Sequence, residues 1–193
     1  MNVPKRWTAL KIVIEPIFEV QFRPGSFGFR PGRGCKDALR EVDRLLKAGY
    51  THVVDADLKS YFDTIPHDRL IALVEGSISD SRVLALIDGF LQQEIMSEIA
   101  CWQPTTGTPQ GAVLSPLLAN LYLHPLDLLM EQSGCRMVRY ADDFVILCAS
   151  EAEATAAGDD VGECQRPDPA PRQDAHRRQR TAGPGVRFPG VPV

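Results

Sequence analysis

Two aspartates stand side by side at Asp142-Asp143, between Met137-Val138-Arg139-Tyr140 and Phe144-Val145-Ile146-Leu147. Apolar, β-branched flanks of this kind form buried strands, and the polar pair between them reads as the turn of a hairpin. Burying one carboxylate is costly, and two neighbours raise each other's proton affinity unless a cation neutralises them. Hard oxygen ligands select a divalent cation, Mg²⁺ or Mn²⁺. The plainer alternative is a solvated Asp-Asp turn. Asp159-Asp160 supplies the contrast, because its neighbours Gly158 and Val161 sit in a polar tract rather than between strands.

A third carboxylate adds weight to the metal reading. Asp57 ends the apolar run Val53-Val54 and is followed by Leu58-Lys59-Ser60-Tyr61-Phe62-Asp63. Brought beside Asp142 and Asp143, it would complete three carboxylates around one or two cations. Two metals can activate a nucleophilic hydroxyl and stabilise the leaving oxygen of an in-line phosphoryl displacement. The alternative for Asp57 is a helix N-cap or a strand-end turn. Asp55, on the same strand face by period two, is as easily a salt-bridged neighbour.

The elements that must position these residues follow from periodicity. Residues 7–18 carry Leu10, Ile12, Val13, Ile14 and Ile17, a short helix expected to stop near Pro16. Residues 21–34 form a Gly/Pro/Arg loop. A helix is expected over 36–48, with Ala38, Leu39, Val42, Leu45 and Leu46 on one face and Gly49 closing it. Residues 51–57 read as a strand. A helix opening at Pro66 and ending at Gly76 comes next, then one from Ser79-Asp80 with Val83, Leu84, Leu86, Ile87, Phe90 and Leu91 as its stripe. Gly107-Thr108-Pro109-Gln110-Gly111 is a turn by composition, and Ser115-Pro116 offers an N-cap and first-turn proline for a Leu-rich helix to about Met130.

The 193 residues suffice for one domain, or one ordered domain and a tail. A formal net charge of −4 gives no global basic character, although a nucleic-acid channel needs only local cations. No apolar run reaches the length of a membrane span. Five cysteines without ligand-like spacing fit reduced thiols, hence a cytoplasmic location.

The strings Val54-Asp55-Ala56-Asp57-Leu58-Lys59-Ser60-Tyr61-Phe62-Asp63-Thr64-Ile65, Thr108-Pro109-Gln110-Gly111 with Ser115-Pro116, and Tyr140-Ala141-Asp142-Asp143 resemble reverse transcriptases of the group II intron-encoded maturase family. Gly25-Ser26-Phe27-Gly28-Phe29-Arg30-Pro31-Gly32-Arg33-Gly34 is similar to the same family's second block. The blocks keep the family order over roughly residues 10–150. The resemblance implies an α+β fold, the fingers and palm of a right-hand polymerase, with packed helices beside a small antiparallel palm sheet. It implies RNA-directed DNA synthesis with Mg²⁺, or Mn²⁺ in its place. The partners implied are an RNA template or intron RNA, a DNA primer and dNTPs.

Residue by residue, the resemblance makes Asp57, Asp142 and Asp143 the catalytic metal ligands. Phe62 would be the aromatic gate against a ribonucleotide 2′-hydroxyl, with core packing as its alternative. Gln110 and Gly111 would line the nucleotide pocket, or form an ordinary turn. Arg30 and Arg33 would contact template phosphates, or be solvated loop charges. A reading from a different class is RNA binding without catalysis, as in maturases that assist splicing of their own intron. An inactive remnant is the third.

Departures from the family pattern set the expected domain division. No basic block precedes Met1-Asn2-Val3-Pro4-Lys5-Arg6, and no thumb sequence follows Leu147. Residues 151–193 contain no Leu, Ile, Met, Trp, Tyr or Lys. Such composition buries too little apolar surface to offset ordering entropy, so disorder is expected there. The expected division is thus a partial reverse transcriptase domain over 1–150 and a low-complexity tail over 151–193. A frameshift near residues 153–160, in a gene missing its 5′ end, would account for both departures and for impaired activity.

Overall fold

The structure is a computed structural model that describes residues 3–57, 64–93, 95–96, 101–102, 106–108, 112–164 and 178–181. Helix α1 (Val3–Glu19) buries Trp7, Leu10, Ile14 and Phe18, the i, i+3, i+7, i+11 positions of one face. It runs through Pro16 rather than stopping there. A proline withdraws the hydrogen bond to the carbonyl four residues back, here Ile12. Ile12 is 66% exposed, so water can take that carbonyl. Helix α2 (Cys35–Lys47) starts where the Asp37 carboxylate accepts from the Gly34 amide at 2.9 Å. It closes at Gly49, whose φ of 98° suits the left-handed position after a helix.

Strand β1 (His52–Asp57) follows, then α3 (His67–Glu75) behind the Pro66 cap and α4 (Ser81–Leu91). The Asp80 side chain caps α4 by accepting from the Arg82 amide at 2.8 Å. A two-residue ribbon pairs β2 (Ile95–Met96) with β3 (Cys101–Trp102). Helix α5 (Ser115–Gln132) begins one residue earlier than expected: Leu114 is its N-cap, and Ser115 lies inside the first turn. Strands β4 (Arg136–Tyr140) and β5 (Asp143–Cys148) form the hairpin.

The chain does not leave the packed body at residue 150. Helix α6 (Glu151–Cys164) buries Ala154, Ala157 and Val161 in the main core. Spacing of i, i+3 and i+7 puts these three on one face, and small side chains are enough to seal a helix onto a sheet. Its start is secured by Ser150 Oγ, which accepts from the Glu153 amide at 3.3 Å, and by Glu153 Oε2, which accepts from the Ala149 amide at 3.0 Å. That is close to a capping box. Beyond it, β6 (Arg178–Thr181) pairs with β1, and residues 165–177 and 182–193 lie outside the described residues.

The main sheet is antiparallel with strand order β4-β5-β1-β6, giving the expected α+β architecture with a small sheet. Alternation along the strands feeds two cores. Val54, Phe144, Ile146 and Cys148 pack with α1, α3, α4, α5 and α6, while Val53, Val145, Leu147 and Val138 pack with α2 and Phe27. The sheet is therefore covered on both faces, and its hairpin end carries the aspartates.

Candidate functional site

Tyr140 pairs with Asp143 across β4 and β5, leaving Ala141-Asp142 as a two-residue turn. Asp143 is thus the first residue of a strand rather than part of the turn. Ala141 has φ 62°, the sign that type II′ hairpins need at the first turn position and usually assign to glycine. A side chain there is strained, so the surrounding structure must hold it. Asp142 is half-buried and Asp143 exposed.

Strand β1 runs antiparallel to β5 with Val54 opposite Ile146, Ala56 opposite Phe144 and Asp57 opposite Asp143. Directly opposed residues of an antiparallel pair have Cα atoms about 4.5–5.5 Å apart. The two segments that carry the aspartates, 86 residues apart in sequence, therefore end on the same rung. The carboxylates of Asp142 and Asp143 at this sheet end are hard oxygen donors, which suit Mg²⁺ or Mn²⁺. Among the described side chains no three His, Cys, Asp or Glu are grouped to hold a metal, and the Asp57 side chain falls outside them.

Behind the turn lies a residue that sequence reading passed over. Arg139 is fully buried, and all five of its N–H groups are used. Nε and Nη2 donate to Asp127 Oδ1 at 2.8 Å and Oδ2 at 2.6 Å, a bidentate pair. Nη1 donates to Asn120 Oδ1 and to the Ala141 carbonyl, each at 2.9 Å, and Nη2 also reaches Ser26 Oγ at 2.8 Å. Asn120 in turn donates from Nδ2 to the Gly28 carbonyl at 2.8 Å. One guanidinium thus joins α5, the loop at 25–28 and the strained turn. The alternation of β4 gave a hint: a charge between Val138 and Tyr140, in a strand read as buried, needs a buried partner.

The loop of residues 25–28 is laid along β4. The Phe27 amide donates to the Arg139 carbonyl at 2.9 Å, and the Arg139 amide donates to the Gly25 carbonyl at 2.8 Å. A Cβ on Gly25 would run into the Met137 carbonyl, and one on Gly28 into the Ala141 backbone. Both glycines are there because backbone meets backbone.

Arg30 is placed differently from the phosphate contact expected of it. It is buried, its Nε and Nη2 bind the Glu19 carboxylate at 2.7–3.1 Å, and Nη1 donates to the Arg23 and Ser26 carbonyls at 2.7 Å. An arginine so enclosed locks its own loop. Arg33 is half-buried beside it, donating to the Pro24 carbonyl at 2.7 Å with its guanidinium 5.4 Å from the Phe27 ring centre. Phe62, Gln110 and Gly111 lie outside the described residues. The segment before Gln110 is tied down: the Gly107 amide donates to the Ile65 carbonyl at 2.8 Å, and His67 Nε2 lies 2.7 Å from the Gly107 carbonyl. No helix among the described residues is long and apolar enough to cross a membrane.

A family model described as "Reverse transcriptase (RNA-dependent DNA polymerase)" matches residues 7–166, running through α6. The chain is 46% identical over 122 residues to an uncharacterised 91 kDa protein in the cob intron of Schizosaccharomyces pombe, covering 63% of this chain and 15% of that protein. It is 42% identical over 119 residues to the group II intron-encoded protein LtrA of Lactococcus lactis subsp. cremoris, covering 62% of this chain and 20% of that protein. The chain therefore spans a fifth or less of the length of these relatives. An apo telomerase structure from Candida tropicalis, truncated of its C-terminal domain, superposes with a TM-score of 0.61 at 13% identity. That superposition covers 82% of this chain and 37% of the telomerase, a likeness of fold.

Proposed function

Because the chain belongs to the reverse transcriptase (RNA-dependent DNA polymerase) family, we propose that its sheet end is the catalytic centre of RNA-directed DNA synthesis of the group II intron-encoded kind. The observation that carries this reading is the register that sets Asp57 opposite Asp143, one residue from the Ala141-Asp142 turn. Asp57, Asp142 and Asp143 would hold Mg²⁺, with Mn²⁺ as a substitute. Such ions activate an attacking hydroxyl and neutralise the leaving oxygen in phosphoryl transfer. The protein's own part is positional. The turn and the end of β1 would hold the carboxylates at one end of a sheet covered on both faces, where an ångström of displacement can cost about a hundredfold in rate.

Phe62 follows Asp57 by five residues and is assigned to face the sugar of the incoming dNTP. Gln110 and Gly111 are assigned to the nucleotide pocket, and Arg33 to the template strand. A DNA primer on an RNA template, intron RNA included, is the substrate. The cytoplasm suits the free thiols of Cys35 and Cys148.

The test is primer extension on an RNA template with Mg²⁺, comparing the chain with its Asp142→Ala variant. Incorporation that falls at least about a hundredfold in the variant supports the reading, since the reacting groups would lose their alignment. Equal incorporation by both proteins contradicts it. Binding of intron RNA with no incorporation by either would favour the splicing role over the polymerase.

A further inference from the structure

We infer that Arg139 is a positioning residue for the carboxylate turn, acting through its hydrogen bond to the Ala141 carbonyl; this rests on the catalytic centre proposed above. Three observations converge on it. Ala141 holds a positive φ that an L side chain rarely adopts, so something must maintain the turn. Arg139 Nη1 meets the Ala141 carbonyl at 2.9 Å from inside the protein, and the same nitrogen meets Asn120 Oδ1 at 2.9 Å. The Gly28 backbone also packs closely on the Ala141 backbone, and the Gly28 carbonyl accepts from Asn120 Nδ2.

The guanidinium itself cannot drift. Its fork onto Asp127 sets its plane, and Ser26 Oγ takes its fifth N–H. The planar fork matters more than the charge. A lysine ammonium has three donors on one atom and cannot serve Asp127, Asn120, Ser26 and the Ala141 carbonyl from that single point. The buried ion pair therefore serves geometry. Replacing such a pair by apolar side chains of similar volume is often neutral for stability, whereas the tether to Ala141 would be lost.

This gives an experiment that separates fold from positioning. Mn²⁺ affinity of the full chain is measured by electron paramagnetic resonance titration, alongside thermal melting, for the unmodified protein, Asp142→Asn, Arg139→Lys and the double variant Arg139→Met/Asp127→Leu. The expected result is a cooperative melt in the double variant with Mn²⁺ affinity weakened about 10–100-fold, the usual cost of losing a group that orients metal ligands. Arg139→Lys should show a loss in the same direction. A folded double variant with unmodified Mn²⁺ affinity overturns the inference. If the double variant does not fold, Arg139→Lys decides: weakened binding in a folded protein sustains the inference, and unchanged binding sinks it. Asp142→Asn reports separately on the catalytic centre. If Mn²⁺ binding survives Asp142→Asn undiminished, the proposed centre is wrong, whatever Arg139 does.

Discussion

Burial sets the chemistry of single residues here. Cys148 ends β5 inside the core, and desolvation pushes its thiol up to about 11. At pH 8 only roughly one molecule in a thousand would carry the reactive thiolate. Iodoacetamide at that pH should therefore label exposed Cys35 and spare Cys148 until the protein unfolds, which mass spectrometry of the alkylated peptides would resolve. Equal labelling of the two in folded protein would mean that β5 is not packed as described. The sign for stability follows. A raised thiol pKa favours the folded state fully below the ordinary thiol value, and the benefit is lost as pH rises towards about 11. Gly28 makes the second residue-scale prediction. Gly28→Ala drives a Cβ into the Ala141 backbone, where neither partner can swing aside. Melting should show a loss of about 1–3 kcal/mol, the range for overpacking, whereas Gly32→Ala meets no neighbour and differs only by the strain of its positive φ.

At the scale of elements, much was legible and the errors share a cause. Strand and helix periods placed β1, α2, α3, α4, α5 and the hairpin within a residue or two. What sequence could not supply was which side chains face what. Pro16 reads as a stop, but the hydrogen bond it withdraws belongs to Ile12, an exposed residue of α1. Arg30 looked like a phosphate ligand, but Glu19, eleven residues earlier, turns back to enclose it. Arg139 drew no notice because Asp127 and Ser26, its partners, are distant in sequence. Composition hid α6, since the count of missing Leu and Ile says nothing of three small residues on one face. The local signal was there in Ser150-x-x-Glu153, a capping-box spacing. A version of the chain ended at Ser150 should accordingly melt well below one ended at Cys164, because it uncovers the core beneath Ala154, Ala157 and Val161. Equal melting temperatures would show that α6 contributes nothing to that core.

On the scale of the whole molecule, the sheet is covered on both faces and carries its paired aspartates at one end. The two cores hold β1 and β5 in a single register, because a slip of one residue would exchange their faces. That register brings Asp57 to Asp143, while Arg139, Asn120 and the loop at 25–28 fix the turn beside them. Phe62, Gln110 and Gly111 match the family motifs in sequence, and the roles proposed for them follow from that match. The carboxylate site stands or falls on whether one cation contacts both segments. Anomalous diffraction from crystals grown with Mn²⁺ measures this directly. A manganese peak bound by oxygens of Asp57 and of the Asp142-Asp143 pair, at about 2.2 Å, is the expected result. A peak at the turn that leaves Asp57 unbound, or no peak at this end of the sheet, would contradict it.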